Sequence, residues 1–363
     1  MRLRFNFIRK TNNETDCDMD TKNEVTIYDI ASKLSLSPAT VSRALNNSKL
    51  VNKQTLRKVQ LLAESLNYRQ NSFASNLRKQ KTNTIGVILH ELNSNFITSV
   101  LAGIEKVTAK AGFDIIITHS SENKEKEIAN ASNLFHKRVD GVIASLSFTT
   151  KDLKHFEQFK SKGIPVIFFD RVDEESSYPK VIIDNFSSGY RATQHLIDQG
   201  CRRIAMVTSN LSRNVYMKRH SGYVKALKDH KLNYEKELVF IKDLSEQSAI
   251  KVAKEIIKMR PMPDGMFVTN DFSCAVCMST LKKSGIKIPE DIAVVGFNND
   301  AIGKLIEPQL TTINYPGREI GEIAARIIIN HLKDVTDIKL TNTFIINSEL
   351  IIRESSLKKS KNN

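Results

Sequence analysis

Ten consecutive residues near the start of the chain, Ser37-Pro-Ala-Thr-Val-Ser-Arg-Ala-Leu-Asn46, set short hydroxyls beside one guanidinium on a helical pattern. The hydroxyls suit phosphate oxygens, Arg43 can bond bidentately to guanine O6 and N7, and Ala39 can touch a thymine methyl. A second set of polar residues follows a series of apolar runs: His90-Glu91-Leu92-Asn93, His119-Ser120, Ser145, Asp170, Asn270-Asp271 and Asn298-Asn299-Asp300. This set resembles a site for a hydroxyl-rich small molecule more than a catalytic centre. Taken singly, each residue also reads as a loop polar group or a helix cap, and Asn270-Asp271 as the cap of the helix that follows. Cys274-Ala-Val-Cys277 has C-x-x-C spacing, but no second Cys/His pair at zinc-finger spacing accompanies it. Buried core thiols are therefore expected there, with no metal and no cofactor.

Enzyme signatures are missing from the sequence. No G-x-G-x-x-G or G-x-x-x-x-G-K follows the first strand-like run, no G-x-S-x-G elbow is present, and none of the eight histidines lies in H-E-x-x-H. Lysine and arginine number 54 against 40 acidic residues, a net charge of +14. Half of that surplus is local. Between Glu24 and Lys81 lie ten basic and three acidic residues, a net +7 that marks a basic module of the kind nucleic acid attracts. No apolar run approaches the ~20 residues a membrane span needs. Four cysteines in 363 residues make no disulfide framework, so a cytoplasmic, nucleoid-associated protein with no membrane partner is expected.

These residues need elements to hold them. Residues 1–24 are polar and without apolar periodicity, and read as a disordered extension, with Met19 as an alternative start. Thr26 with Asp29 forms a capping-box pattern opening a helix from Ile27 to Leu34. Ser37 can cap, and Pro38 suits the first position of a second helix running to about Leu45. A third helix opens near Asn52 and carries Leu56, Val59, Leu62, Ala63 and Leu66 as one apolar stripe. Together they make a helix-turn-helix head over 25–70. The segment Asn71 to Lys79 is too short to be a stable helix alone, so 71–83 reads as a hinge and linker.

After Thr84 come strand-like runs at IGVIL, FDIIIT, GVIASL and PVIFFD, then at RIAMVT, ELVFI, GMFVTN and IAVVGF, with amphipathic stretches between them. Continuous apolar strands belong to parallel sheets covered on both faces. The expected fold is α/β, with the head followed by two doubly wound halves over 84–353. A hinge is expected near Asp184 and further crossings near Tyr315 and Thr341, with 354–363 a solvated polar tail. In open parallel sheets, ligands bind at the carboxyl ends of the strands, where the second polar set lies.

The motifs Thr26-Ile-Tyr-Asp-Ile-Ala, Leu36-Ser-Pro-Ala-Thr-Val-Ser-Arg-Ala-Leu-Asn46, Val139-Asp-Gly-Val-Ile, Pro165-Val-Ile-Phe-Phe-Asp170, Arg219…Gly222-Tyr223, Asn270-Asp271, Val294-Val-Gly-Phe and Pro308-Gln-Leu-Thr-Thr-Ile313 resemble, in this order, the lactose-repressor (LacI/GalR) family of transcription regulators. The resemblance covers residues 25 to about 353. It implies a periplasmic-binding-protein-like effector domain. By it, Pro38, Ala39 and Arg43 would read bases, while Thr26, Tyr28, Ser37, Thr40, Ser42, Asn46 and Thr55 would hold the DNA backbone. Leu77 of the hinge would wedge into the minor groove at the operator centre. Ser145, Asp170, Arg219 and Asn270 fall on effector-contacting positions, and Asn298 joins them although many relatives carry aspartate there. Ser75 is a second departure, since a basic residue often stands at that place.

The reading is an effector-responsive regulator, not an enzyme. It is expected to act as a repressor, a homodimer binding a pseudo-palindromic double-stranded operator, with a sugar or sugar derivative as effector. A purine or a partner protein would be alternative effectors. A sugar-binding protein without a regulatory role would need a signal peptide and no basic head, and an α/β enzyme with a fused head would need a nucleophile or phosphate loop.

Overall fold

The computed structural model describes residues 25–68, 81–338 and 342–358. The expected extension 1–24 and the hinge with Leu77 and Ser75 lie outside the described residues, as does Thr341. The chain divides into two compact units at Lys79/Gln80.

In the first unit, α1 (Ile27–Leu34), α2 (Pro38–Leu45) and α3 (Lys53–Ser65) begin where their caps stand. The Thr26 amide donates to Asp29 at 2.7 Å, completing the capping box. The Thr40 amide donates to Ser37 Oγ at 3.1 Å, with Pro38 in the first turn of α2, and the Thr55 amide to Asn52 Oδ1 at 2.8 Å. Each bond satisfies an amide that the first turn leaves without a helical partner. A small core of Ile30, Ala31, Val41, Ala44, Val59 and Ala63, flanked by Leu62 and Leu66, holds the three helices together. Burying each aliphatic side chain of valine or isoleucine size contributes ~1.5–3 kcal/mol, so this head has few contacts to spare.

The second unit contains two six-stranded sheets. Its elements in chain order are β1 (Thr84–Leu89), α4 (Asn95–Ala111), β2 (Asp114–His119), α5 (Lys124–His136), β3 (Gly141–Ala144), α6 (Lys154–Ser161), β4 (Val166–Phe169), β5 (Lys180–Ile183), α7 (Asn185–Asp198), β6 (Ile204–Thr208), α8 (Asn214–Asp229), β7 (Val239–Ile241), α9 (Glu246–Lys258), β8 (Gly265–Val268), α10 (Asp271–Lys283), β9 (Ala293–Asn298), α11 (Ile302–Leu305), β10 (Thr311–Asn314), α12 (Gly317–Leu332), β11 (Thr343–Ile346) and β12 (Leu350–Ile351). The first sheet runs β11-β5-β4-β3-β1-β2, and the second β12-β10-β9-β8-β6-β7. All pairings are parallel except β10 with β12.

The central strands β1, β3, β4, β6, β8 and β9 are buried along almost their whole length, as continuous apolar runs require. The edges depart from that expectation. β2 is half open and β11 largely exposed, with Ile117 and Ile345 exposed, because a strand at a sheet edge has a neighbour on one side only. The chain crosses between lobes after β5 at Asp184 and after β10 at Tyr315, as expected. The third crossing lies at 347–349 rather than near Thr341, because β11 still pairs with β5 through Ile346.

Residues 354–358 also correct the sequence reading, because they are not a solvated tail. Ser355 and Ser356 are buried in a single turn, and Ser355 Oγ donates to the Val294 carbonyl at 2.7 Å. Ser356 Oγ lies 2.6 Å from Thr311 Oγ1 and 2.7 Å from His195 Nε2. Two serines followed by lysines look solvated in sequence, but here their hydroxyls close a buried network.

One core passes through both lobes by way of Phe96, Tyr315 and Phe297. Two further cores serve the lobes separately. Glycines let the flanking helices approach closely. A Cβ on Gly189 of α7 would collide with the Arg219 carbonyl of α8, and one on Gly321 of α12 with the Val100 carbonyl of α4. That close approach sets the position of Arg219.

Candidate functional site

On the head, α2 turns Val41 and Ala44 into the core. Ala39, Arg43 and Asn46, at i, i+4 and i+7, lie exposed along the opposite face, with Pro38, Thr40 and Ser42 half-buried beside them. Ser37 Oγ and Thr40 Oγ1 lie 2.8 Å apart, and Asn46 Nδ2 donates to the Ser42 carbonyl at 2.8 Å. Thr26 and Tyr28 are exposed at the start of α1, and Thr55 is half-buried in the first turn of α3. Helix N-termini present unpaired amides and a positive dipole end, which suits phosphate. This head has three such ends, each beside a candidate backbone contact.

In the second unit, the carboxyl ends of the strands open into a cleft lined by His90, Glu91, Phe96, Asp170, Arg171, Val215, Tyr216, Arg219, Thr269, Asn270, Asn298 and Tyr315, among others. Four of the five residues expected from sequence meet here: Asp170, Arg219, Asn270 and Asn298. Ser145 stands one layer behind, buried, with its Oγ 2.9 Å from His90 Nδ1. Glu91 lies at the rim, 3.7 Å from His90 Nε2; burial would raise its carboxyl, but the contact with His90 and the charge of Arg171 outweigh that and lower it. His119, also a strand-end residue, does not line the cleft. Asp271 is buried below it.

Asp170 has a local reason for its type: its φ is +58°, a left-handed backbone at the end of a strand that short polar side chains tolerate, whereas Asn298, at φ +126°, lies outside that region. Asn270 does two things at once: it lines the cleft, and its Oδ1 accepts from the Ser273 amide at 2.9 Å as the cap of α10.

Arg219 is buried, and its Nε donates to Asn185 Oδ1 at 2.8 Å. Its guanidinium lies 3.5 Å from the Phe297 ring centroid, and burial lowers its pKa. Arg171 packs 4.1 Å from the centre of Phe148 and pairs with Glu122. Burial opposes its charge, but Tyr216, Glu122 and Asp170 together raise its pKa. Across the cleft, the Val172 amide donates to Asn214 Oδ1 at 3.1 Å and Asn214 Nδ2 donates to the Asp170 carbonyl at 3.0 Å. Arg213 donates to the carbonyls of Phe148 and Thr150. Tyr315 lies between the lobes, and its hydroxyl donates to the Asp170 carboxylate.

Sequence reasoning missed Phe96, Arg171, Tyr216 and Tyr315. Arg171 directly follows Asp170 and could have been flagged, whereas the aromatic residues look like ordinary core in sequence. Cys274 and Cys277 pack inside the second lobe on α10, and burial raises the Cys274 thiol well above its usual value and the Cys277 thiol to about 12. Such thiols carry little thiolate.

Residues 26–71 match the family described as "Bacterial regulatory proteins, lacI family", and residues 82–353 match "Periplasmic binding proteins and sugar binding domain of LacI family". Catabolite control protein A of Priestia megaterium is 31% identical over 86% of this chain and 94% of its own. The HTH-type transcriptional repressor PurR of Vibrio atlanticus is 31% identical over 85% of this chain and 92% of its own. Among solved structures, the lac repressor dimer bound to operator and the anti-inducer ONPF shares the fold, with a TM-score of 0.83 at 23% identity, covering 93% of this chain and all of that one. A transcriptional regulator CelR–cellobiose complex aligns with a TM-score of 0.68 at 26% identity, covering 92% of this chain and all of that one. Among the described residues, no helix is long and apolar enough to cross a membrane. With a helix-turn-helix head, a two-lobed cleft domain and both family matches along its length, this chain belongs to the LacI family of DNA-binding transcriptional regulators and is not an enzyme.

Proposed function

We propose that this regulator is a cytoplasmic repressor that binds a pseudo-palindromic operator as a homodimer and is controlled by a carbohydrate in the cleft. One observation carries the effector class. The cleft joins acceptors (Asp170, Glu91) and donors (Arg219, Asn270) with the aromatic walls Phe96, Tyr216 and Tyr315. A sugar needs all three, because each hydroxyl both donates and accepts and the ring has apolar faces. The name of the matching family domain and the cellobiose complex of a relative support the same class. A purine is the second reading, since the same aromatic walls could stack on a planar base.

On the DNA, Pro38, Ala39, Arg43 and the hinge Leu77 are assigned to bases. Thr26, Tyr28, Ser37, Thr40, Ser42, Asn46 and Thr55 are assigned to the backbone. Domains are assigned as a head over 25–70, a hinge and linker over 71–83, and an effector and dimerisation domain from 84 to 353. Ser145, one layer back, would orient His90 rather than touch the effector.

The test is selection of DNA from a random pool by the purified full chain, followed by titration with ribose, glucose, cellobiose and hypoxanthine. A two-fold symmetric site is expected, with a log–log salt dependence steeper than about −2 and a change of affinity on adding a sugar. An asymmetric site or a shallower slope would overturn the dimeric reading. A response to hypoxanthine and to no sugar would replace the carbohydrate with a purine.

A further inference from the structure

Tyr315 is absent from the set of cleft residues expected from sequence, yet it stands at the centre of the cleft. We propose that Tyr315 is a resident occupant of the effector site: its phenol holds the Asp170 acceptor that an effector hydroxyl must take over, and so sets how tightly effectors bind. The proposal rests on reading the cleft as the effector site.

Three observations support it. The first is placement. Tyr315 opens the second crossing between lobes and is only 7% exposed. Its ring stacks on Phe96 with centroids 4.0 Å apart and meets Phe297 edge-on at 5.6 Å. Two aromatic neighbours leave the ring little freedom, so the direction of the hydroxyl is set by packing.

The second is the partner. The hydroxyl donates to the carboxylate of Asp170, which comes from the opposite lobe. Asp170 is itself held, by its left-handed backbone and by Asn214 on its carbonyl. Tyr315 therefore makes with Asp170 the kind of bond a sugar hydroxyl would make.

The third is space. With Tyr315 and Arg219 in place, the cleft encloses about 50 Å³. Small-molecule sites usually enclose ~300–1,000 Å³. The cleft is nearly filled by its own side chains, so an effector enters only as side chains move aside or the lobes part.

The energetic consequence has a sign. An effector hydroxyl that takes Asp170 Oδ1 replaces one hydrogen bond with another, so the resident bond subtracts from its affinity. Tyr315→Phe keeps the stacked ring and removes only the oxygen. The free protein then loses a bond that the complex never had, and binding tightens by ~10- to 100-fold, the equivalent of one hydrogen bond to a charged acceptor. If the Tyr315 hydroxyl instead contacted the effector directly, the same change would weaken binding.

The experiment uses the full chain labelled with 4-¹³C-tyrosine, and separately calorimetry with ribose, glucose and cellobiose. Among the eight tyrosines, the resonance lost in Tyr315→Phe identifies Tyr315. In protein without added sugar that resonance should move in Asp170→Asn, a variant whose side chain tolerates the same backbone. An unmoved resonance overturns the resident bond, whatever the effector. Tightening by tenfold or more in Tyr315→Phe supports the proposal, and equal or weaker binding overturns it. If the resonance moves but no sugar binds either protein, the resident bond stands and it is the carbohydrate reading that fails.

Discussion

Asp271 offers a prediction in which charge and burial oppose each other. It is the first helical residue of α10 and is fully buried. Its carboxylate accepts from Thr312 Oγ1 at 2.7 Å and from the Asp300 amide at 2.8 Å, and it occupies the space that Gly296 leaves by having no Cβ. Burial dominates and raises its pKa from 3.8 to about 7, the nearby Asp300 adds to the rise, and hydrogen bonds from Thr312 and from the Asp300 and Phe297 backbone restrain it. A folded value above the unfolded one means that the folded state holds this proton more tightly. The resulting stabilisation is fully present below pH about 4, falls as pH rises, and is gone once pH has passed the folded value near 7. A shift of about three units sets a ceiling on the order of 4 kcal/mol. Asp271→Asn removes the titration. Its Oδ1 can accept from the Asp300 amide while its Nδ2 donates to Thr312 Oγ1, whose hydroxyl can rotate. Thermal unfolding of both proteins from pH 4.5 to 8.5 measures the effect. Relative to wild type, the variant should gain stability as pH rises towards 7 and level off above it, by ~1–3 kcal/mol at the upper end. A difference independent of pH, or one that shrinks as pH rises, would refute the reasoning.

Arg43→Ala should cost ~1–3 kcal/mol of specific binding per half-site and leave non-specific DNA affinity in place. The side chain is exposed on the outer face of α2, so the head should stay folded, which circular dichroism checks; an equal loss on random DNA would make Arg43 a phosphate contact. Leu77→Ala should weaken operator binding and abolish bending in a circular-permutation assay without changing effector affinity off DNA. Equal bends at equal affinity would make the hinge a passive tether. Replacing Cys274 and Cys277 together by alanine should lower the melting temperature through lost packing in the second lobe, with no zinc bound before or after the change. Stoichiometric zinc in the wild type, lost in the variant, would overturn the core reading.

The sequence by itself determined the head and the rhythm of the lobes. Helix boundaries at Thr26, Ser37-Pro38 and Asn52 could be read because a cap bonds its own chain three residues on, and that interaction is written in adjacent letters. The buried strands could be read because continuous apolar runs of that length have few other uses. The strands β5, β10, β11 and β12 were not legible although β3, β4, β7 and β8 also have four residues or fewer: they lie beside the crossings between lobes, outside the regular alternation of strand and helix, and become strands only when a neighbour supplies the hydrogen bonds. The polar residues at strand ends were legible as candidates, because the carboxyl ends of parallel strands all point to one cleft. Which residues meet was decided by the tertiary structure. Asp170 and Tyr315 are 145 residues apart, and Arg219 reaches its place because Gly189 and Gly222 let two helices touch. Ser355 and Ser356 are buried because the last turn returns to β10. No spacing along the chain encodes such contacts, since each depends on packing between distant elements, and the packing places a tyrosine that reads as core at the centre of the cleft.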